Sequence, residues 1–436
     1  MDKKIVIVLL ICFMIIACQP TPETAAIVNK REDYLQEAGK KEEQFSVPND
    51  YTKEADPNAK VLIDFHADVN YVSEEYPILQ VRPRVFNETD LQSMCSYLTP
   101  NTALYEEIEP TKDEIVEQLA TMQNYDGSLG SFVDVSEFDL LKQELIDSWN
   151  TTEDSTLLIP YEFDRKIDSP LLFVVNGFTE QGQICKYTMN PKSNQFAFLR
   201  DRNIFIYPAN SVRGIDIDSP CIDEQNARTI AESFLEHFCS DSYTLAETDR
   251  AFVMRFYSKQ ETAWRFVFIR SIKNTETIRQ TPYLRLDKNS LPSIGAPWPP
   301  ELLIIDVDSY GILSIVWSGA SMICSTLVED CKFESFDTII QRFDNQMFFQ
   351  LSGQNIGADY KFYINVKEIN LCYGLLSEEN DQDSGRYVPL WEFVYDFGFE
   401  NDAEDELDEE KIYFNAVDGS YVEPRVTNQY LFGILS

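Results

Sequence analysis

Only two histidines, His66 and His237, stand in the 436 residues, so imidazole chemistry has few places to reside. His66 lies in Asp64-Phe65-His66-Ala67-Asp68. Strand alternation there turns Asp64, His66 and Asp68 to one face and Val61, Ile63 and Phe65 to the other. An imidazole between two carboxylates is the one arrangement in the chain able to act as an acid–base or metal cluster. The polar face of a half-buried strand has the same pattern, and we read it as that. His237 flanks a helical stripe one place before Phe238 and is expected at the surface. Asp381, Asp383 and Glu392 fall at positions 1, 3 and 12 of a calcium loop, but Arg386 occupies position 6, where the sharp turn needs Gly, and Gly385 sits one place early. The acidic run from Glu400 to Glu410 is expected as a solvated hairpin loop. No His-Glu-x-x-His, Gly-x-Ser-x-Gly, P-loop or Gly-x-Gly-x-x-Gly occurs. No catalytic, metal or cofactor-binding residue is therefore assigned, and the chain is expected not to be an enzyme.

The N-terminus carries a different chemistry. Lys3 and Lys4 precede an unbroken apolar run from Ile5 to Ile16, which is the layout of a secretory signal. As a helix, Ile5 to Ala17 spans roughly 20 Å, short of the roughly 30 Å hydrocarbon core of a membrane. The run ends Ile15-Ile16-Ala17-Cys18, followed by Gln19-Pro20-Thr21-Pro22. This ending resembles the lipobox of bacterial lipoproteins. The resemblance implies cleavage before Cys18, a diacylglyceryl group on its thiol, and location on the extracytoplasmic face of the cell membrane. Two acyl chains anchor stably where one does not. The formal charge is −37, and removal of Asp2, Lys3 and Lys4 takes away one net positive charge, leaving −38. Such a field repels nucleic acid phosphates and anionic headgroups, so attachment falls to the acyl chains and nucleic acid is not an expected partner.

Seven further cysteines remain: Cys95, Cys185, Cys221, Cys239, Cys324, Cys331 and Cys372. They include no Cys-x-x-Cys pair and read mainly as small buried hydrophobes, with Cys324 and Cys331 the pair closest in sequence. Trp298, in Ala296-Pro297-Trp298-Pro299-Pro300, is expected either to form an exposed recognition loop or to fold back onto its own domain.

Residues 18–57 are charged and poor in aromatics, the composition of a flexible tether. Folded material is expected from 58. A strand at Val61 to Val69 and an edge strand at Pro77 to Phe86 precede a helix capped by Asn87, a helix opened by the Thr111–Glu114 capping box, and a third helix from Ser136. Further strands lie at Leu171 to Asn176, Gln183 to Met189 and Asn203 to Tyr207, closing an N-terminal α+β domain at 58–218. Two similar stretches follow. Asp223 caps a helix with Ala227, Ile230, Ala231, Phe234, Leu235 and Phe238 at helical spacing, and strands lead to the turn at Gly311. Ser335 caps a second helix with Phe336, Ile339, Ile340, Phe343 and Met347, and strands lead to the Asp418-Gly419 turn.

The element order of each stretch, with Asp306-Val307-Asp308-Ser309-Tyr310-Gly311 and Asn415-Ala416-Val417-Asp418-Gly419-Ser420 at the last hairpin, resembles the PepSY-type module and the extracellular regulatory domains of histidine kinase partners. This implies modules at 219–321 and 322–436. Cys18-Gln19-Pro20-Thr21-Pro22-Glu23, Val28-Asn29-Lys30, Val81-Arg82-Pro83-Arg84, Pro389-Leu390-Trp391 and Asn415-Ala416-Val417-Asp418-Gly419 together resemble an uncharacterised family of clostridial, Gram-positive lipoproteins. The expected fold is therefore α+β: antiparallel sheets with helices packed on one face, in an N-terminal domain followed by two PepSY-like repeats. The expected function is that of a lipid-anchored, non-enzymatic binding or regulatory protein acting on an envelope or membrane partner. The alternative is a surface ligand-binding protein or hydrolase with its site between the N-terminal and C-terminal domains.

Overall fold

The computed structural model describes residues 35, 38, 46–72, 75–106, 108–123, 135–152, 158–163, 172–191, 194–209, 219–239, 243–255, 259–279, 296–352, 361–378, 381–400, 402 and 407–422. Residues 1–17, read from sequence as a signal peptide, and Cys18 lie outside them. In chain order the elements begin with β1 (Asp50–Lys53), β2 (Val61–Asn70), β3 (Ile78–Pro83), α1 (Glu88–Leu98), α2 (Lys112–Gln123) and α3 (Val135–Thr151). Then come β4 (Phe173–Phe178), β5 (Ile184–Asn190), β6 (Gln195–Leu199), β7 (Ile204–Pro208), α4 (Glu224–Phe238), β8 (Tyr243–Arg255), β9 (Lys259–Ile272) and β10 (Thr275–Glu276). The last are β11 (Leu302–Asp308), β12 (Gly311–Ser318), β13 (Ser321–Val328), α5 (Phe336–Ser352), β14 (Phe362–Glu378), β15 (Asp381–Phe399), β16 (Asp408–Asn415) and β17 (Tyr421–Val422).

The expected α+β layout is not what the chain adopts. The described structure is mostly β, 48% strand against 23% helix, in two curled sheets with five helices. One sheet runs β1-β2-β14-β15-β16-β17, with β3 pairing β15 and β13 pairing β3. The other runs β4-β5-β6-β12-β11-β9-β8-β7, with β10 pairing β9. Neither sheet follows the sequence as a domain and two consecutive repeats would. β2 lies parallel to β14, about 300 positions later, from Val61 beside Phe362 to Asn70 beside Asn370. β6 pairs with β12, setting Phe198 opposite Ile315. The helical stripes and turn residues that suggested successive modules are local signals, whereas strand order is decided by pairing between distant segments.

Two compact units result. Of the described residues, the first is drawn from those up to Val81, those from Lys273 to Pro297 and those from Ile323 onward, the second from those in Arg82–Ile272 and Trp298–Met322. In the first, β14 is paired on both sides and its burial alternates: Phe362, Ile364 and Val366 are buried, then Ile369 and Leu371. The change from even to odd numbers occurs at Lys367, where the register with β15 slips by one residue, as an inserted bulge residue requires. Asp50–Lys53, read from sequence as the end of a tether, is strand β1 on β2. Helix α5 buries Phe336, Ile339, Ile340, Phe343 and Met347, the stripe its spacing implied. Phe343 lies among four rings: it stacks on Phe393 at 4.6 Å and meets Phe65 at 5.4 Å, Tyr395 at 5.9 Å and Phe414 at 6.4 Å.

In the second unit one core joins Phe86, Leu91, Met94 and Cys95 to Val175, Tyr187 and Phe198, and to Ala227, Ala231, Phe234, Phe266, Leu303 and Trp317. Residues assigned from sequence to separate domains thus share one interior. Local signals held at helix starts. The Asn87 side chain accepts from the Thr89 and Asp90 backbone N–H groups, and Thr111 and Glu114 form the reciprocal capping box.

Because Phe343 is fully buried among rings, Phe343→Ala should cost about 3–5 kcal/mol. Phe348→Ala on the same helix, at a side chain 55% exposed, should stay within about 0.5 kcal/mol of wild type. Urea denaturation followed by near-UV circular dichroism checks both.

Candidate functional site

The structure places the candidate residues on sheets and surfaces. His66 is exposed on β2, with Nδ1 3.4 Å from Asn365 Oδ1 and Nε2 3.8 Å from Glu54. Asp64 accepts the Ala55 N–H at 2.6 Å. Among the described residues no group of three or more His, Cys, Asp and Glu side chains could hold a metal ion. Asp381–Phe399 is one continuous strand, so the calcium-loop spacing cannot wrap around an ion. Glu392 instead accepts from Tyr413 Oη at 2.9 Å and Lys411 Nζ at 3.2 Å. Of the acidic run, Asp408, Glu409 and Glu410 begin β16, and Lys367 bridges Asp396 and Glu409 at 2.8 and 2.9 Å. His237 is exposed and stands 4.9 Å from the Tyr97 ring, centre to centre. Cys324 and Cys331 are not bridged to each other; Cys324 is exposed, and burial pushes the Cys331 thiol up to about 12.

Sequence reasoning missed a polar cluster buried in the second unit. Gly319 has φ +64°, and a Cβ there would lie 2.3 Å from the Pro299 carbonyl oxygen. Only glycine lets the Pro299-Pro300 segment cross the turn between β12 and β13 so closely. That crossing delivers Glu301 to the end of β9. Arg270 Nε donates to Glu301 Oε2 at 2.6 Å, and Arg270 Nη2 donates to the Ser321 carbonyl at 2.7 Å. The other Glu301 oxygen accepts from Tyr243 Oη at 2.5 Å and Trp317 Nε1 at 3.2 Å. Trp298, fully buried, folds back and donates from Nε1 to Ser321 Oγ at 3.0 Å. The Arg270 and Glu301 side chains are 1% and 0% exposed. Nearby, Arg84 lies over the Trp317 ring at 4.8 Å and the Phe86 ring at 5.1 Å.

Cys, Tyr, Glu and Arg together could perform acid–base or thiol chemistry, but here both carboxylate oxygens hold donors. Burial, reinforced by the Glu301 charge, pushes the Cys239 thiol up to about 12, so almost none is thiolate at neutral pH. Burial and the same charge raise Tyr243 well above the ordinary phenol value. The chemistry this geometry performs is holding: a desolvated ion pair in which both carboxylate oxygens accept from donors.

Other guanidinium–carboxylate pairs brace the same sheet. Arg265 grips Asp306 from Nε at 2.8 Å and Nη2 at 3.0 Å, and Ser314 Oγ adds 2.5 Å to the same carboxylate. These three residues face one another across β9, β11 and β12. Arg200 pairs with Asp308 and lies 5.6 Å from the Tyr310 ring, and Arg202 pairs with Glu114 at 3.1 Å. Asp306 and Asp308, the motif residues of the last hairpin, therefore serve as sheet braces.

Burial is the first cause raising Tyr187, Tyr373, Tyr395 and Tyr413 above their unfolded value of 10.0. A raised folded value means that the neutral phenols contribute stability fully below pH 10 and lose it as pH climbs above that. Alkaline titration should show phenolate absorbance of these rings rising in one steep step together with loss of structure. A gradual rise in the folded chain would contradict their burial.

No known protein family matches the chain, and no curated protein matches it. Among solved structures, an uncharacterized protein from Eubacterium rectale is 12% identical, covering 89% of this chain and 97% of that one, with a TM-score of 0.40. The Bacillus megaterium YpeB C-terminal domain is 13% identical, covering 60% of this chain and 84% of that one, with a TM-score of 0.26. These are distant likenesses in shape, and neither carries an argument about this chain's activity or family.

Proposed function

We propose that this chain is a lipid-anchored extracytoplasmic lipoprotein that acts by binding or regulating an envelope or membrane partner, without catalysis. The observation that carries the reading is Ile15-Ile16-Ala17-Cys18 at the end of a short basic and apolar leader. Among the described residues no helix is long and apolar enough to cross a membrane. A mature charge of −38, after loss of one net positive charge with residues 1–17 from −37, makes adhesion to anionic headgroups unfavourable, so the acyl chains on Cys18 supply the attachment. The non-enzymatic part draws support from the fate of the reactive groups: the Glu301 carboxylate is closed in by Tyr243, Trp317 and Arg270, and the Cys239 thiol is held protonated.

Expression of wild type and Cys18→Ala in a bacterium fed a clickable palmitate tests this. Wild type should take up the label, fractionate with membranes and crosslink in cells to envelope proteins that the variant fails to capture. Equal labelling, or the same partners captured equally by both, would overturn the proposal.

A further inference from the structure

A helix laid on a sheet turns its remaining face to solvent, and that face is ordinarily charged. Helix α5 departs from this. Opposite the stripe Phe336, Ile339, Ile340, Phe343 and Met347 that it buries, it carries Thr338, Gln341, Asn345, Phe348 and Phe349. None of these five is charged, in a chain that is 25% charged, and Phe348 and Phe349 are 55% and 46% exposed. Thr338, Gln341, Asn345 and Phe348 follow one another in steps of three and four, the spacing of a heptad seam with Thr338 and Asn345 at a and Gln341 and Phe348 at d. The same lettering puts Asp337 and Asp344 at g, and Arg342 and Phe349 at e. Asp344 is held by Lys53 of β1. Asp337 and Arg342 enter no hydrogen bond or ion pair among the described residues, although carboxylates outnumber cationic side chains by 73 to 36.

We infer that this outer face of α5 is a homodimer contact, in which α5 pairs in parallel with α5 of a second copy of this chain about a two-fold axis along the helices. Charge selects the occupant. Two chains of charge −37 repel, so they can meet closely only where the facing surface is uncharged or complementary to itself. The α5 face is both. In a parallel pair equal letters of the seam meet across the axis, which sets Phe348 against Phe348 and Asn345 against Asn345 of the second copy. A polar Asn at one a position fixes register and a two-stranded state at some cost in stability. The g residues then lie beside the e residues of the other helix, so Asp337 meets Arg342 of the second copy, and the two-fold axis repeats the pair. Each of the two unpaired charges thereby finds its counterion. An antiparallel pair would place g beside g instead, collecting Asp337 and Asp344 against their own kind, and is disfavoured.

The inference stands apart from the lipid anchor and is tested on the full chain in detergent by analytical ultracentrifugation across concentration. Wild type should sediment as a dimer that dissociates on dilution. Phe348→Lys and Phe348→Glu, both at an exposed side chain, should each lower dimer affinity about tenfold or more with an unchanged circular dichroism spectrum. Mixed together they should form a heterodimer tighter than either variant forms alone, because position 348 faces its own copy. Arg342→Asp sets a carboxylate against Asp337 of the second copy and should weaken the dimer about fivefold or more, and Asp337→Arg/Arg342→Asp should recover it. Dilution to the monomer removes the contact, so the stability of the single chain is untouched by these changes. A wild type that is monomeric up to about 1 mM overturns the inference, as does a dimer that neither Phe348 variant weakens. A mixture that forms no heterodimer overturns the parallel pairing.

Discussion

Carboxylates outnumber cationic side chains by 73 to 36, and a carboxylate inside a core must bring a matching cation or lose its charge. The second unit meets this constraint with arginine. Arg270 serves Glu301, Arg265 serves Asp306 and Arg200 serves Asp308, each within hydrogen-bonding reach. Arginine suits the task because its planar fork engages both carboxylate oxygens, stays charged under all ordinary conditions, and stacks on rings as Arg84 does on Trp317.

This placement bears on function. Acid–base catalysis needs a carboxylate or imidazole open to a substrate and poised between protonation states. Glu301 is enclosed, and Asp306 is shared between Arg265 and Ser314. Thiol chemistry needs a thiolate, while the Cys239 and Cys331 thiols are both pushed up to about 12 by burial. Groups arranged this way stabilise the fold, and they are the ground on which we propose binding rather than turnover.

Local structure was legible in the sequence wherever one residue type answers one local need. Asn87 and Thr111 cap helices because a short side-chain oxygen reaches orphan N–H groups, and the α5 stripe from Phe336 to Met347 is buried as helical spacing requires. Gly311 and Gly419 turn hairpins at positive φ. Topology was not legible. Nothing near Val61 announces a partner at Phe362, because parallel pairing leaves no turn between its strands. β6 and β13 went unread: Gln195–Leu199 is short, and β13 lacks the buried–exposed alternation by which a strand is recognised. The Arg270–Glu301 pair was hidden for a related reason. Its sequence trace is one charge at the end of an apolar strand and another after two prolines, and only the Gly319 crossing brings them together.

A double-mutant cycle on Arg270 and Glu301 tests most directly whether this ion pair holds the second unit. By urea denaturation, Arg270→Met and Glu301→Leu should each cost about 3–5 kcal/mol, since each strands a buried charge. The double variant should lose no more than either single one, because no uncompensated charge remains. Costs that simply add, or single variants as stable as wild type, would show that the pair is not what the surrounding structure rests on.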